Sequence, residues 1–256
     1  MEIQIYEAPT FMPAGDKALF MKMGEGIDPE LNGRVRAMVH LLENKTPEGI
    51  LEWIPGYCTL MVVYDPLIVD YHQLIHQLQE LEKEKDKVTF PSPSVVEIPT
   101  TYGTEYPEFG PDLPSVAEHN QLTEEQVVEK HSSVDYLIYM IGFTPGFSFL
   151  GGLPQELATP RLENPRQKVP AGSAGIAGPQ TGIYPVDSPG GWRLIGRTPI
   201  RLFDPNREEP ILLKAGNYIR FVPITLEEYQ RIDKEIEEGR YQVKKYPLEG
   251  KNHNEG

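Results

Sequence analysis

The chain has 256 residues, of which 39% are apolar and 24% are charged, and its formal net charge is −14. This composition is typical of a globular protein with one large domain or two smaller ones. The acidic balance disfavours nucleic acid as the main partner, because phosphate binding needs a basic surface, and no apolar run approaches the roughly 20 residues of a membrane helix.

The first part of the chain alternates between strand and helix patterns. Asp28 is the predicted N-cap of the first helix, and Pro29 takes its first position. The elements follow the order strand, helix, strand, strand, helix, strand, over residues 17–23, 28–44, 49–55, 56–65, 70–87 and 95–99. This β-α-β-β-α-β order predicts a ferredoxin-like α+β domain.

The second part has a different character. Two short helices, the second with a capping box at Thr123 and Gln126, lead into a strand over residues 135–143. Residues 142–199 then hold eleven glycines and nine prolines, which predicts tight turns between short strands and therefore a β-barrel or sandwich. A final helix begins at the Thr225 capping box.

These patterns predict three segments of the chain. The first is a small α+β domain over residues 1–92, the second a mainly-β domain over residues 93–240, and the third a polar tail over residues 241–256. The single cysteine, Cys58, excludes an internal disulfide, and the N-terminus has no signal-peptide pattern. We therefore expect a cytoplasmic protein.

The basic residues are concentrated in one segment. Residues 157–207 contain seven Lys or Arg against three acids, although the whole chain is acidic. Within it, the run PAGSAGIAG has backbone N–H groups that no bulky side chain shields, as an anion site requires. The catalytic candidates in this segment are Arg166, Lys168, Gln180 and Thr181, and the ligand-binding candidates are Gly172, Ser173, Gly178, Tyr184 and Arg197.

The residues of this segment leave two interpretations open. Together they fit a site for a carboxylate or phosphate on a β scaffold. The same residues also fit glycine-kinked corners of a barrel with incidental polar side chains. His131 is equally open, since it is either a general acid or base or a histidine that interacts with the C-terminus of its helix. No metal ligand set is predicted.

An apolar stretch lies on the N-terminal side of this segment. GFTPGFSFLGGLP, residues 142–154, carries no charge, and the preceding strand predicts a turn at Pro145. We expect Phe143, Phe147 and Phe149 to be partly exposed in the isolated chain and covered by a partner. The alternative is that these side chains plug the end of the barrel.

The chain resembles a known family in its longest motifs. YMIGFTPGFSFLGGLP, ATPR, VPAGSAGIAGPQTGIYPVDSPGGWRLIGRTPIRLFDP and YIRFVPI are similar to the allophanate hydrolase subunit 1 family, over about residues 15–226. This family includes the B subunit of bacterial 5-oxoprolinase and the Kip-type kinase inhibitors. The segment YGTEYPEFGPDL is a few residues longer than the family pattern.

The resemblance implies a cyclophilin-like β-barrel in the second domain. It also implies one component of an ATP-dependent 5-oxoprolinase, inactive alone, that opens 5-oxoproline to glutamate. The implied partners are an allophanate hydrolase subunit 2-type protein, which is the C subunit of 5-oxoprolinase, and a third protein, its A subunit. ATP and Mg²⁺ would act at the level of the complex and would not bind this chain alone. The alternative implied by the family is a regulator that binds a histidine kinase without chemistry.

Overall fold

A computed structural model describes residues 3–248. The chain divides after Pro91 into two compact units, and each has its own sheet and its own core. No helix among residues 3–248 combines the length and the apolar character needed to cross a membrane.

The N-terminal unit is a four-stranded antiparallel sheet with two helices. Its elements are β1 (Gln4–Pro13), β2 (Ala18–Glu25), α1 (Pro29–Asn44), β3 (Ile50–Pro55), β4 (Thr59–Tyr64) and α2 (Tyr71–Glu82). The strands lie in the order β1-β2-β4-β3. Asp28 caps α1 as the sequence predicts, and its carboxylate accepts hydrogen bonds from the backbone N–H groups of Glu30 and Leu31.

The core of this unit lies between the sheet and the helices. Met21 of β2 and Leu60 of β4 face Leu31 and Met38 of α1 and Leu74 of α2, and all five are fully buried. This arrangement confirms the apolar helix faces that the 3.6-residue spacing predicts.

The predicted ferredoxin-like order is wrong in its last strand. Residues 95–99 belong to β5, which pairs with strands of the other unit. The fourth place in the N-terminal sheet is taken by β1, which forms a hairpin with β2 and pairs Phe11 with Met21. No strand is predicted over β1 from the sequence, and its pairing with β2 is interrupted by a register shift between Ile5 and Thr10.

The C-terminal unit is mainly β. Its elements are β5 (Ser94–Tyr102), α3 (Leu113–His119), α4 (Glu124–Ser132), β6 (Tyr136–Ile141), β7 (Ser148–Gly151), β8 (Arg166–Val169), β9 (Ser173–Ala177), β10 (Gln180–Ile183), β11 (Ser188–Gly190), β12 (Arg193–Arg197), β13 (Tyr218–Pro223), α5 (Leu226–Glu237) and β14 (Lys245–Pro247).

The main sheet of this unit is nearly closed. Its strands follow the order β10-β9-β12-β5-β13-β6-β7, and the two end strands, β10 and β7, lie beside each other. β8 and β11 form a separate two-stranded ribbon. The interior is filled by apolar side chains such as Ile98, Ile138 and Phe221. A barrel-like sheet is therefore confirmed for the second part of the chain.

The end of the described chain is more ordered than a polar tail. Tyr241 and Val243 pack against the core of the C-terminal unit, and β14 pairs with β5. These elements lie within residues 241–256, for which the sequence predicts a tail. Residues 249–256 of that prediction lie outside the described residues.

Candidate functional site

His131 lies in a closed hydrogen-bond chain inside the C-terminal unit. Its Nδ1 is 2.8 Å from the hydroxyl of Tyr102, and its Nε2 is 2.8 Å from Thr181 Oγ1. The Thr181 hydroxyl donates to the backbone carbonyl of Gly175, so it accepts the proton of Nε2. Nδ1 must then accept from Tyr102, which fixes the neutral imidazole in its Nε2–H tautomer.

These hydrogen bonds and the burial of the ring leave His131 without access to a substrate. His131 is fully buried and Thr181 is 1% exposed. Burial among Tyr136 and Phe221 lowers the pKa of His131 to about 3, because no opposite charge offsets the loss of hydration. A neutral ring gains nothing from the dipole at the end of α4 either. We therefore assign His131 and Thr181 a structural role and leave both out of the candidate site.

Arg166 and Lys168 lie on the ribbon strand β8 and differ in burial. Arg166 donates to Asp112 at 2.8 Å, and the other oxygen of that carboxylate accepts from the backbone N–H of Leu194. Asp112 thereby ties β8 to β12. Lys168 is 71% exposed and pairs with Asp187 at 2.8 Å. Lys168 also lowers the pKa of Asp187 through this hydrogen bond.

The predicted glycine-rich anion site is not formed by its backbone N–H groups. Gly172 donates to the carbonyl of Tyr184, Ser173 to that of Pro170, and Gly178 to that of Thr159. These donors are consumed inside the barrel unit, and Ser173 is fully buried. The geometry favours the second interpretation of this segment, in which the glycines shape corners of the sheet.

Gly172 shows what such a corner requires. Its φ is +81°, and a Cβ placed on it would lie 2.3 Å from the carbonyl oxygen of Thr198. Gly178 has a similar φ of +57°, but no atom lies within 4 Å of the corresponding Cβ position. Substitution of Gly178 therefore costs stability only through its left-handed backbone, whereas substitution of Gly172 also costs stability through the close approach of Thr198.

We expect Gly172→Ala to destabilise the protein more than Gly178→Ala does. Both variants carry the left-handed conformation, which costs about 1–2 kcal/mol with a side chain, and Gly172→Ala adds a backbone clash of about 1–3 kcal/mol. Chemical denaturation of both variants gives the comparison. Equal losses of unfolding free energy would contradict the close approach to Thr198.

A cavity of about 340 Å³ gathers most of the remaining predicted residues. The rings of Phe149, Tyr184 and Trp192 each meet Phe147 edge to face, with centroids 5.0, 6.0 and 5.7 Å from its own. Gln180 and Arg161 complete the wall, and the Arg161 guanidinium lies 5.9 Å from the Trp192 ring centre. An aromatic cavity whose wall also holds Gln180, Arg161 and the Tyr184 hydroxyl is suited to a small, partly apolar ligand.

Tyr184 holds its place in this wall through close packing. A Cβ on Gly190 would lie 2.2 Å from the Tyr184 hydroxyl, so only glycine leaves room for the phenol there. A tyrosine phenol is neutral at physiological pH, and burial raises the pKa of Tyr184 further above its ordinary value.

The three phenylalanines differ in exposure. Phe147 is 4% exposed, Phe149 is half-buried and Phe143 is 79% exposed. Phe143 has a φ of +66°, a conformation that is uncommon for a residue other than glycine. The predicted turn forms at Gly146, where φ is +82°. Phe147 therefore belongs to the core of this structure, and only Phe143 of the three offers a large exposed ring.

The predicted site residues thus fall into separate places. The cavity brings together Gln180, Tyr184 and the three phenylalanines. Arg197 lies outside its wall, with its guanidinium 5.4 Å from the ring centre of Phe109. Arg161 and Trp192 are site residues that the sequence patterns did not predict. The sequence signal that could have indicated them is a cation and an indole at the two ends of the glycine- and proline-rich residues 161–192.

Comparisons with known proteins agree on one family. Residues 9–213 match the family model described as carboxyltransferase domain, subdomain C and D. The chain is 41% identical over 235 residues to the 5-oxoprolinase B subunit of Bacillus subtilis (strain 168), covering 86% of this chain and 95% of that protein. It is 49% identical over 178 residues to the 5-oxoprolinase B subunit of Escherichia coli O157:H7, covering 68% of this chain and 78% of that protein.

One solved structure extends the likeness in fold. The Kluyveromyces lactis urea carboxylase superposes with a TM-score of 0.76 at 20% identity, over 94% of this chain and 24% of that chain. At this identity the likeness concerns the fold alone.

Proposed function

The chain belongs to the carboxyltransferase C/D family, as its sequence motifs predict, and we propose that it is the B subunit of a multi-subunit 5-oxoprolinase. The observation that carries this proposal is its 41% and 49% identity to two proteins that bear this name. We also assign the barrel-like unit to the cyclophilin-like class and the protein to the cytoplasm.

The proposed reaction opens a lactam. 5-Oxoproline, ATP and two molecules of water give glutamate, ADP and phosphate, and the ring C–N bond is the one that breaks. A lactam carbonyl is a weak electrophile, and ATP supplies its activation when bound. The contribution of this chain is to hold the ring, orient its amide and keep bulk water away, for which an aromatic chamber with polar groups in its wall is suited.

The described residues do not fit a metal site. Among residues 3–248, no three His, Cys, Asp or Glu side chains lie close enough to hold a metal ion. The sequence likewise contains no phosphate-binding loop motif. We therefore propose that Mg²⁺ and ATP act elsewhere in the complex.

The proposed partner surface is centred on Phe143. Its ring is 79% exposed at the mouth of the cavity. A left-handed backbone at a non-glycine residue costs about 1 kcal/mol or more, so the turn displays this ring at the expense of local stability. A partner that covers Phe143 also closes the cavity below it. We propose that this partner is the allophanate hydrolase subunit 2-type protein, which is the C subunit of the complex.

Reconstitution tests the proposed function. We expect the chain co-expressed with the A and C subunits to hydrolyse ATP only when 5-oxoproline is present, and to form glutamate in equal amount. The chain alone is expected to show no turnover. The measurement is the coupled release of phosphate and glutamate.

A matched variant strengthens that test. Phe143→Ser removes a ring that is 79% exposed and meets the core through its edge-to-face contact with Phe147, and we expect it to weaken co-purification with the C subunit. Lack of 5-oxoproline-dependent ATP hydrolysis in every combination of subunits would reject the enzyme function. The kinase-binding alternative would then become the leading hypothesis.

A further inference from the structure

One cation in the wall of the aromatic cavity, Arg161, is exposed to solvent. Arg166 and Lys168, close by in sequence, pair with Asp112 and Asp187. Arg161 has no ion-pair partner among the residues that the structure describes, and its guanidinium lies against the Trp192 ring. In a chain with a net charge of −14, such an arginine in the wall of a cavity is an attractive position for an anionic ligand.

The rest of the wall determines the shape and polarity of such a ligand. Phe147, Phe149 and Trp192 present ring edges and faces, which favour a small ring over an extended chain. Gln180 adds an amide, and an amide side chain can both donate to a carbonyl and accept from an N–H. The wall therefore combines an apolar surface, an amide and one positive charge.

We propose that this cavity binds a five-membered lactam carboxylate, with the carboxylate on Arg161, the ring amide on Gln180 and the ring carbons against the aromatic wall. In the complex proposed above, on which this inference rests for the identity of the ligand, that molecule is 5-oxoproline. Arg161 is then a substrate-binding residue of this chain.

The neutral state of Tyr184 is consistent with this assignment. Its phenol lies in the same wall, and burial raises its pKa. A neutral phenol places no negative charge beside the bound carboxylate, so Tyr184 does not oppose the attraction of Arg161.

The cavity also supplies its own probe. The chain has two tryptophans, Trp53 in the N-terminal unit and Trp192 in the cavity wall. In a Trp53→Phe background, the fluorescence of Trp192 reports binding directly. We expect 5-oxo-L-proline to change the Trp192 fluorescence saturably. 2-Pyrrolidone, which is the same lactam without the carboxylate, is expected to bind at least about tenfold more weakly.

Variants separate charge from fold. Arg161→Gln is expected to weaken 5-oxoproline binding about tenfold and to leave the weak binding of 2-pyrrolidone unchanged. Arg231→Gln is the matched control, since it removes the same charge from the exposed, ion-paired face of α5, and we expect wild-type affinity. In the reconstituted complex, Arg161→Gln is expected to raise KM for 5-oxoproline about tenfold, with a smaller change in kcat.

The outcomes of this test are distinguishable from those of the proposed function. An active wild-type complex whose KM does not change in Arg161→Gln, together with no saturable fluorescence change, overturns this inference and leaves the 5-oxoprolinase function standing. That result would fit a side chain of the partner filling the cavity. An inactive complex rejects the function, and the fluorescence titration with 5-oxoproline then decides the lactam site alone.

Discussion

Phe147→Ala is expected to destabilise the C-terminal unit by about 3–5 kcal/mol, the usual cost of removing a buried aromatic side chain. Phe147 is 4% exposed, and its ring is the common neighbour of Phe143, Phe149, Tyr184 and Trp192. Its removal enlarges a cavity that already exists, so the neighbouring rings lose their contacts and have little to collapse onto. Chemical denaturation in the Trp53→Phe background, followed by Trp192 fluorescence, measures the loss.

Phe143→Ala is the matched control for this variant. It removes the same side chain from the same turn, but at a position that is 79% exposed. We expect a change within about 0.5 kcal/mol, as for an ordinary surface substitution. Similar losses for the two variants would mean that Phe147 is not the centre of the aromatic cluster.

The second large effect is a loss of stability in acid that depends on His131. Its folded-state pKa is about 3, against 6.5 for the free side chain. Between these values the unfolded chain binds a proton that the folded chain does not bind. This histidine therefore lowers the free energy of unfolding as pH falls through 6.5 towards 3, by about 1.4 kcal/mol per pH unit and about 2 kcal/mol at pH 5.

Comparison with His131→Gln isolates this contribution. Carboxylates with lowered pKa also lose stability in acid, so the wild-type curve alone does not identify the histidine. The variant keeps polar atoms in the site, and we expect it to be less stable than the wild type at pH 7. The difference between the two should shrink as pH falls from 6.5 to about 4.5. His119→Gln, at an exposed position in α3, is expected to leave the pH dependence as it is.

Parallel stability curves for the wild type and His131→Gln would contradict the buried neutral state. They would mean that the imidazole is hydrated in the folded protein, and a role in proton transfer would have to be reconsidered. The readout is the unfolding free energy of the C-terminal unit at a series of pH values.

Local patterns in the sequence predict much of the fold. The caps at Asp28, Thr123 and Thr225 form with the expected backbone donors, because capping involves residues only two or three positions apart. The glycine and proline density of residues 142–199 likewise predicts short strands, since both residue types act on their own backbone. These features need no knowledge of distant parts of the chain.

The candidate site was harder to predict because it depends on distant contacts. The glycine-rich run has unshielded N–H groups, but whether they are free depends on carbonyls such as that of Tyr184, twelve residues after Gly172. His131 looks like a catalytic histidine until Tyr102 and Thr181 enclose it. Arg161 gains its interest only because Trp192 lies beside it.

The position of β1 in the N-terminal sheet has a consequence for folding during synthesis. Because the edge of that sheet is formed by residues 4–13 and not by residues 95–99, every strand of the sheet is synthesised before β5. Hairpin contacts of short sequence separation form quickly, and domains fold as units from the N-terminus. The N-terminal unit can therefore complete its core while the slower barrel, which pairs β5 with the distant β12 and β13, is still being translated.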